Sequence, residues 1–153
     1  MWKIVISVLL LSSFATASFW SACENNAGVA PDDVVSPSCS GSICHGVRGE
    51  RLIANVTFTP RANHNDLRVQ VWATVLGIQI PLPGEPPHDN ACNNIFHNNV
   101  RQSCPVVGGR QYLWIIEMDI PLTLPALNNA RVRYEIWDGD VEVMCASIVA
   151  QLL

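Results

Sequence analysis

Regular alternation of apolar and polar residues is the feature that most constrains how this chain can fold. In "RLIANVTFTP" (residues 51–60), the apolar residues that share one face of an extended chain are Leu52, Ala54, Val56 and Phe58. The same period of two runs through residues 66–77, 112–120 and 132–136. This period is typical of a β-strand with one buried face. Such strands, separated by Pro, Gly and Asn clusters, predict an all-β fold, an antiparallel sandwich of about seven strands.

The end of the chain carries the strongest local signals for a hairpin. Residues 141–152 are apolar on both faces, which indicates a central strand or one packed on both sides. The preceding "WDGD", residues 137–140, predicts a tight hairpin turn through Asp138 and Gly139.

Two proline-bounded segments interrupt the strand pattern. In "GIQIPLPGEPP" (residues 77–87), Pro81 lacks a backbone N–H, so this segment cannot be an interior strand. We predict long irregular segments at residues 81–109 and 121–129, with apolar tips at Ile80/Leu82 and Leu122/Leu124. These tips could bury each other and cap one end of the sandwich, or they could form an apolar rim around an opening.

The N-terminus resembles a secretory signal peptide. Lys3 precedes an apolar run at residues 4–11, and "ATA", residues 15–17, offers a small-residue cleavage site. We therefore predict a signal peptide at residues 1–17 and one domain at residues 18–153, secreted or, alternatively, lysosomal.

The charge of the mature chain limits its partners. Lys3 is the only lysine, and its removal with the signal peptide changes the net charge from −4 to −5. An acidic chain without a basic cluster argues against binding to nucleic acid or to an anionic membrane surface. We expect a neutral, apolar or protein partner.

All six cysteines follow the predicted signal peptide: Cys23, Cys39, Cys44, Cys92, Cys104 and Cys145. An even number in a secreted chain predicts three disulfides, although spacing alone leaves the pairing open. Cys39 with Cys44 and Cys92 with Cys104 could close locally. The histidines near these cysteines fit no common zinc spacing, so we expect no metal. Asn55 begins the sequon "NVT" and is a candidate glycosylation site.

No motif for catalysis is present in the sequence, and we expect neither an enzyme nor a cofactor. There is no G-x-S-x-G elbow, and three disulfides would leave no cysteine for a Cys–His pair. His64, His88 and His97 fall in polar segments and are interpreted as solvated loop residues. Glu117 and Asp119 share one strand face, where solvated surface charge is the commoner explanation.

Several segments, taken in order, resemble the ML domain, the lipid-recognition family of the Niemann-Pick C type 2 sterol-transfer proteins and the group 2 mite allergens. They are "SPSCSGSIC" (residues 36–44), "NVTFTP" (residues 55–60), "GIQIPLPGEPP" and a cysteine one strand before the end. The resemblance implies an immunoglobulin-like sandwich with an internal lipid cavity, acting as a monomer. It also implies disulfides from Cys23 to Cys145, from Cys39 to Cys44 and from Cys92 to Cys104.

The resemblance further implies a sterol or fatty-acid ligand, with a membrane transporter or receptor as a candidate partner. The residues expected to bind the ligand are Val35, Val56, Val71, Ile80, Leu82, Trp114, Leu122 and Leu124. In the sterol carriers that this sequence resembles, the positions of Leu82 and Leu124 hold aromatic residues. Leucine at both positions makes flexible acyl chains credible ligands. The alternatives are a secreted interaction module or a semiochemical carrier whose apolar loops contact a receptor.

Overall fold

The structure of the protein, a computed structural model, describes residues 18–25, 27–82 and 88–153. The predicted signal peptide lies outside the described residues. A single-turn 3-10 helix spans Ala91–Asn93. The strands in the described part of the chain are β1 (Trp20–Ala22), β2 (Asp33–Val35), β3 (Cys39–Ser40), β4 (Ile43–Gly46), β5 (Arg51–Phe58), β6 (Arg68–Val75), β7 (Ile78–Leu82), β8 (Ile95–His97), β9 (Val100–Gln102), β10 (Tyr112–Asp119), β11 (Leu127–Asp138) and β12 (Val141–Leu152).

The strands form two sheets. Sheet A has the order β3-β4-β12-β11-β6-β7, with β1 also paired to β12. Sheet B has the order β2-β5-β10-β8-β9. Their buried apolar faces belong to one hydrophobic core, which confirms the predicted all-β sandwich.

The predicted inward faces agree with the burial of the long strands. On β5, Ala54, Val56 and Phe58 are buried while Asn55 between them is exposed. The same alternation holds on β10 and β11, where Trp114 and Val132 point inward. The hairpin predicted from "WDGD" is present, because Asp138 pairs with Val141 across a two-residue turn. Gly139 has a φ of 59° there, in the left-handed region that favours glycine.

The described strands outnumber the roughly seven that alternation predicted. The additional strands are short, with two to four residues each in β1, β2, β3, β4, β8 and β9. A segment of that length shows too few alternations to stand out in the sequence. Among the strands that the structure describes, β4 pairs with β12 in parallel, while the other paired strands are antiparallel.

Residues 78–82 of the proline segment form an edge strand rather than a loop, and residues 83–87 lie outside the described residues. Strand β7 pairs with β6 and ends sheet A, so the prediction that it could not be an interior strand is confirmed. Only one side of an edge strand is needed for pairing, which is why Pro81 is tolerated within it. The prediction that residues 81–109 are irregular was wrong at Pro81 and Leu82, which belong to β7, and at β8 and β9, which form a hairpin. The prediction that residues 121–129 are irregular was wrong from Leu127, where β11 begins.

Three disulfides join the elements, in the pairs that the resemblance implied. Cys23–Cys145 ties the N-terminal segment to β12 across 122 residues of sequence. Cys39–Cys44 closes the β3–β4 hairpin, and Cys92–Cys104 closes the segment that contains β8 and β9. No helix in the described residues is long and apolar enough to cross a bilayer.

Candidate functional site

A cavity of about 580 Å³ lies between the two sheets. Strands β6, β7, β11 and β12 of sheet A form one wall, and β5 and β10 of sheet B form the other. The volume falls within the range of roughly 300–1,000 Å³ that is usual for small-molecule sites. A second depression of about 590 Å³ beside the Cys92–Cys104 disulfide is open and lined by polar residues such as Asn93 and Gln102. We place the candidate site between the sheets, because of these two sites it is the more enclosed and has the more apolar wall.

Small inward-facing residues account for the empty space. The cavity wall contains an alanine on each of four strands: Ala54 on β5, Ala73 on β6, Ala130 on β11 and Ala150 on β12. Each alanine points inward. Larger residues occupy other inward positions on the same strand. These alanines were not predicted as site residues. The signal that could have identified them is the placement of alanine at the same end of all four strands.

The cavity opens at the end of the sandwich where these alanines lie. Wall residues that remain accessible there include Ile80, 44% exposed, and the exposed Pro121 and Pro125. Beyond them, Leu76 at the β6–β7 turn is 98% exposed and Leu122 is 75% exposed. Apolar side chains therefore lie along this part of the opening.

An ion-pair network lies beside the opening. The Arg51 guanidinium donates to both oxygens of Asp119, at 2.7 and 3.2 Å, and to Glu117 Oε2 at 3.2 Å. The hydrogen bond from Arg51 lowers the pKa of the Asp119 carboxyl. That hydrogen bond also raises the pKa of Arg51. The two carboxylates, which share one strand face as the sequence predicts, are thus bound to one arginine where β5 and β10 meet at their ends.

Tyr134 brings a polar group into the apolar interior. It lies on β11 in sheet A, is 3% exposed, and lines the cavity. Its hydroxyl donates to the sulfur of Met118, 3.6 Å away on β10 in the opposite sheet. Burial raises the pKa of the Tyr134 hydroxyl.

Five of the eight residues expected to bind a ligand are brought together in the cavity wall. They are Val71, Ile80, Leu82, Trp114 and Leu124. They lie on β6, β7, β10 and the segment between β10 and β11, so residues distant in sequence meet at one site.

The other three expected residues lie outside the wall. Val35 is 57% exposed because the pleat of β2 turns Val34 inward instead. Val56 is buried in the packed part of the core, beyond Ala54. Leu122 lies over Gly49, where an added Cβ atom would come within 2.9 Å of Leu122 Cδ2.

The three histidines that were interpreted as solvated loop residues lie in different surroundings. His64 is buried, and its Nδ1 atom lies 3.3 Å from Asp138 Oδ2, so the expectation was wrong for this residue. His97 lies in β8 and donates from Nδ1 to the Gln111 carbonyl at 2.8 Å. His88 is half-buried and lines the cavity near the opening.

Asn55, the candidate glycosylation site, is exposed on the outer face of sheet B.

A sandwich whose two sheets enclose an apolar cavity is an architecture suited to binding apolar small molecules. The ML-domain family model matches residues 17–152, and the chain belongs to this family of lipid-binding domains. The mite group 2 allergen Eur m 2 of Euroglyphus maynei is 27% identical over 114 residues, which are 74% of this chain and 72% of the allergen. A Niemann-Pick type C2 protein from Japanese carpenter ant has a similar fold, with a TM-score of 0.73 and 17% identity. That match covers 88% of this chain and 98% of the ant protein.

Proposed function

We propose that the protein is a secreted lipid carrier that holds one sterol or fatty acid between its two sheets. The observation that supports this most directly is the apolar cavity of about 580 Å³, open at one end, in a member of a lipid-binding family. The ligand-binding set that we propose is Val71, Ile80, Leu82, Trp114 and Leu124, together with the four wall alanines and Tyr134.

Burial of an acyl chain provides enough free energy for such a role. Roughly 16 methylenes at about 0.8 kcal/mol each give on the order of 12 kcal/mol before costs. Association and ordering oppose binding by about 4–15 kcal/mol. An affinity on the order of micromolar is therefore within reach. A carrier needs this balance, because it must also release its ligand.

The aliphatic character of the opening bears on the choice of lipid. Ile80, Leu82 and Leu124 present no flat aromatic face to a sterol ring. Flexible side chains adapt to an acyl chain as well as to a ring system. The proposal therefore covers sterol and fatty acid alike.

Export and glycosylation are part of the proposal. Three disulfides fit an oxidising compartment, and the N-terminal residues resemble a signal peptide. Asn55 is accessible for a glycan on the outer face of sheet B, away from the opening. We place the protein outside the cell or in the lysosome, as a monomer.

A second candidate function is a secreted interaction module, or a semiochemical carrier, that contacts a receptor. The observation that favours it is the exposure of Leu76 and Leu122, which lie outside the cavity wall and remain apolar. The same side chains could meet a membrane transporter during lipid transfer.

Native mass spectrometry of the secreted protein before and after organic extraction tests the carrier function. We expect a mass excess that extraction removes and that lipid analysis identifies as sterol or fatty acid. A protein that is empty as purified and binds neither fluorescent sterol nor fatty-acid probes would contradict the carrier and favour the interaction module.

A further inference from the structure

The Tyr134 hydroxyl has an unusually weak partner for a buried polar group. Buried hydroxyls normally bond to oxygen or nitrogen, since leaving them unsatisfied destabilises the fold. The partner of Tyr134 is the thioether sulfur of Met118 at 3.6 Å, and a thioether is a weak acceptor. This contact crosses from sheet A to sheet B through the interior that a ligand would occupy.

The remaining polar residues of the described wall lie nearer to solvent. Arg51, His88, Asn90, Asn94, Glu117 and Asp119 are all at least partly exposed. Arg51 is already bound to Glu117 and Asp119. The Asn94 amide donates to the Ile115 carbonyl. Among the residues that the structure describes, the buried wall residues with a polar side-chain group are therefore Tyr134 and Trp114. The Trp114 indole N–H can only donate, whereas the Tyr134 hydroxyl can both donate and accept.

The electrostatics of this position select against charge. Burial raises the pKa of Tyr134, so its hydroxyl stays neutral across the physiological range. An ionised carboxylate placed beside it would lose its hydration without gaining a cation, which is strongly unfavourable. An uncharged oxygen would lose less hydration and would replace the sulfur as a better partner.

We propose that the Tyr134 hydroxyl is the interior anchor of the ligand and selects lipids that carry an uncharged oxygen, such as a hydroxyl or an ester. This inference rests on the proposed function, because it assumes that a lipid occupies the cavity. It predicts that such a lipid enters with its oxygen first and displaces the Met118 contact. An ionised fatty acid would keep its carboxylate at the opening.

The test measures the affinities of dodecanol, dodecane and dodecanoate from their displacement of an apolar fluorescent probe. These affinities are compared between Tyr134→Phe and the unchanged protein. Loss of one hydrogen bond should weaken dodecanol binding about tenfold. Dodecane should change by less than about twofold, since the ring remains. Tyr112→Phe is the matched control, because that buried hydroxyl accepts from the Val107 amide away from the cavity wall. It should leave all three affinities unchanged.

Met118→Leu separates the hydroxyl from the sulfur contact. It removes the present partner of Tyr134 and keeps the apolar volume, so dodecanol affinity should be retained. Equal losses for dodecanol and dodecane in Tyr134→Phe, or no loss for dodecanol, would overturn the anchor. A dodecanol loss in Met118→Leu as large as that in Tyr134→Phe would also overturn it. If the unchanged protein binds none of the three competitors nor the probe, the proposed lipid carrier fails together with the anchor.

Discussion

The two ends of this sandwich are built from the same strands but pack in opposite ways. At the end that carries the β11–β12 turn, large inward-facing residues such as Phe58, Leu67, Ile136 and Met144 are completely buried. At the opposite end, the inward positions of β5, β6, β11 and β12 include the four wall alanines, and the sheets enclose the cavity. We call these the packed end and the open end.

The difference shows how one fold separates stability from binding. Protein interiors are normally filled to the density of organic crystals, and the packed end meets that condition. Atoms that line a void have no partners on one side and lose the corresponding dispersion energy. The packed end therefore stabilises the sandwich, while the open end keeps space for a ligand. Substitutions at matched positions can test this division.

The largest contrast should appear between Ile136→Ala and Ile148→Ala. Ile136 is fully buried at the packed end, and its truncation should lower the free energy of unfolding by about 2–5 kcal/mol. Ile148 lines the cavity, so part of its surface has no partner to lose, and we expect about 1–2 kcal/mol. Urea unfolding of the empty protein measures both values. Equal losses would mean that the open end is packed as tightly as the other.

The long strands could be predicted because their burial follows a rule that is local in sequence. Alternation placed Ala54, Trp114 and Val132 on the correct faces, since the pleat of a strand fixes side-chain direction once the phase is known. In the three-residue strand β2, the phase could not be read. Val35 was expected to face the ligand from the family resemblance alone, whereas Val34 points inward.

Features that depend on distant partners could not be predicted. His64 is buried because Asp138, far along the chain, lies beside it. The polar character of the sequence around His64 indicated a solvated loop instead. The exposure of Leu76 follows from the two-residue turn between β6 and β7, where Leu76 and Gly77 have φ values of 49° and 80°. Nothing in "VLGI" distinguishes this turn from the continuation of a strand.

Enlarging an inward alanine at each end should give opposite outcomes. At the open end, Ala73→Phe places a ring in the cavity, and we expect at least a roughly tenfold loss of lipid affinity with an unchanged or higher melting temperature. At the packed end, Ala146 is fully buried and lies outside the cavity wall. Ala146→Leu should therefore destabilise the protein by about 1–3 kcal/mol through overpacking. Its lipid affinity, measured well below its melting temperature, should be retained.

Probe binding and thermal unfolding of these two variants check the expectation. If Ala73→Phe unfolds the domain while Ala146→Leu abolishes binding, the assignment of the two ends is reversed. If neither variant alters lipid binding, the ligand occupies a different surface.

The smallest effect on stability should come from the ion pair between Arg51 and Asp119 at the open end. The hydrogen bond from Arg51 lowers the pKa of Asp119, so the folded state binds a proton there less readily than the unfolded chain. The stabilisation is fully present above the ordinary carboxyl pKa of 3.8 and is lost as the pH falls through the lowered pKa. Because both side chains are half-exposed or more, the contribution is small and should shrink further in high salt.

Asp119→Asn should therefore lower the urea midpoint slightly near neutral pH and leave it unchanged in strong acid. Asp140→Asn, in the β11–β12 turn at the packed end, is the control for removing one exposed carboxylate. Its midpoint should follow that of the unchanged protein over the same pH range. If the urea midpoint of Asp119→Asn stays below that of the unchanged protein after the carboxylates are protonated, the side chain stabilises the opening by its shape. In that case the pairing with Arg51 would not be the source of the stability.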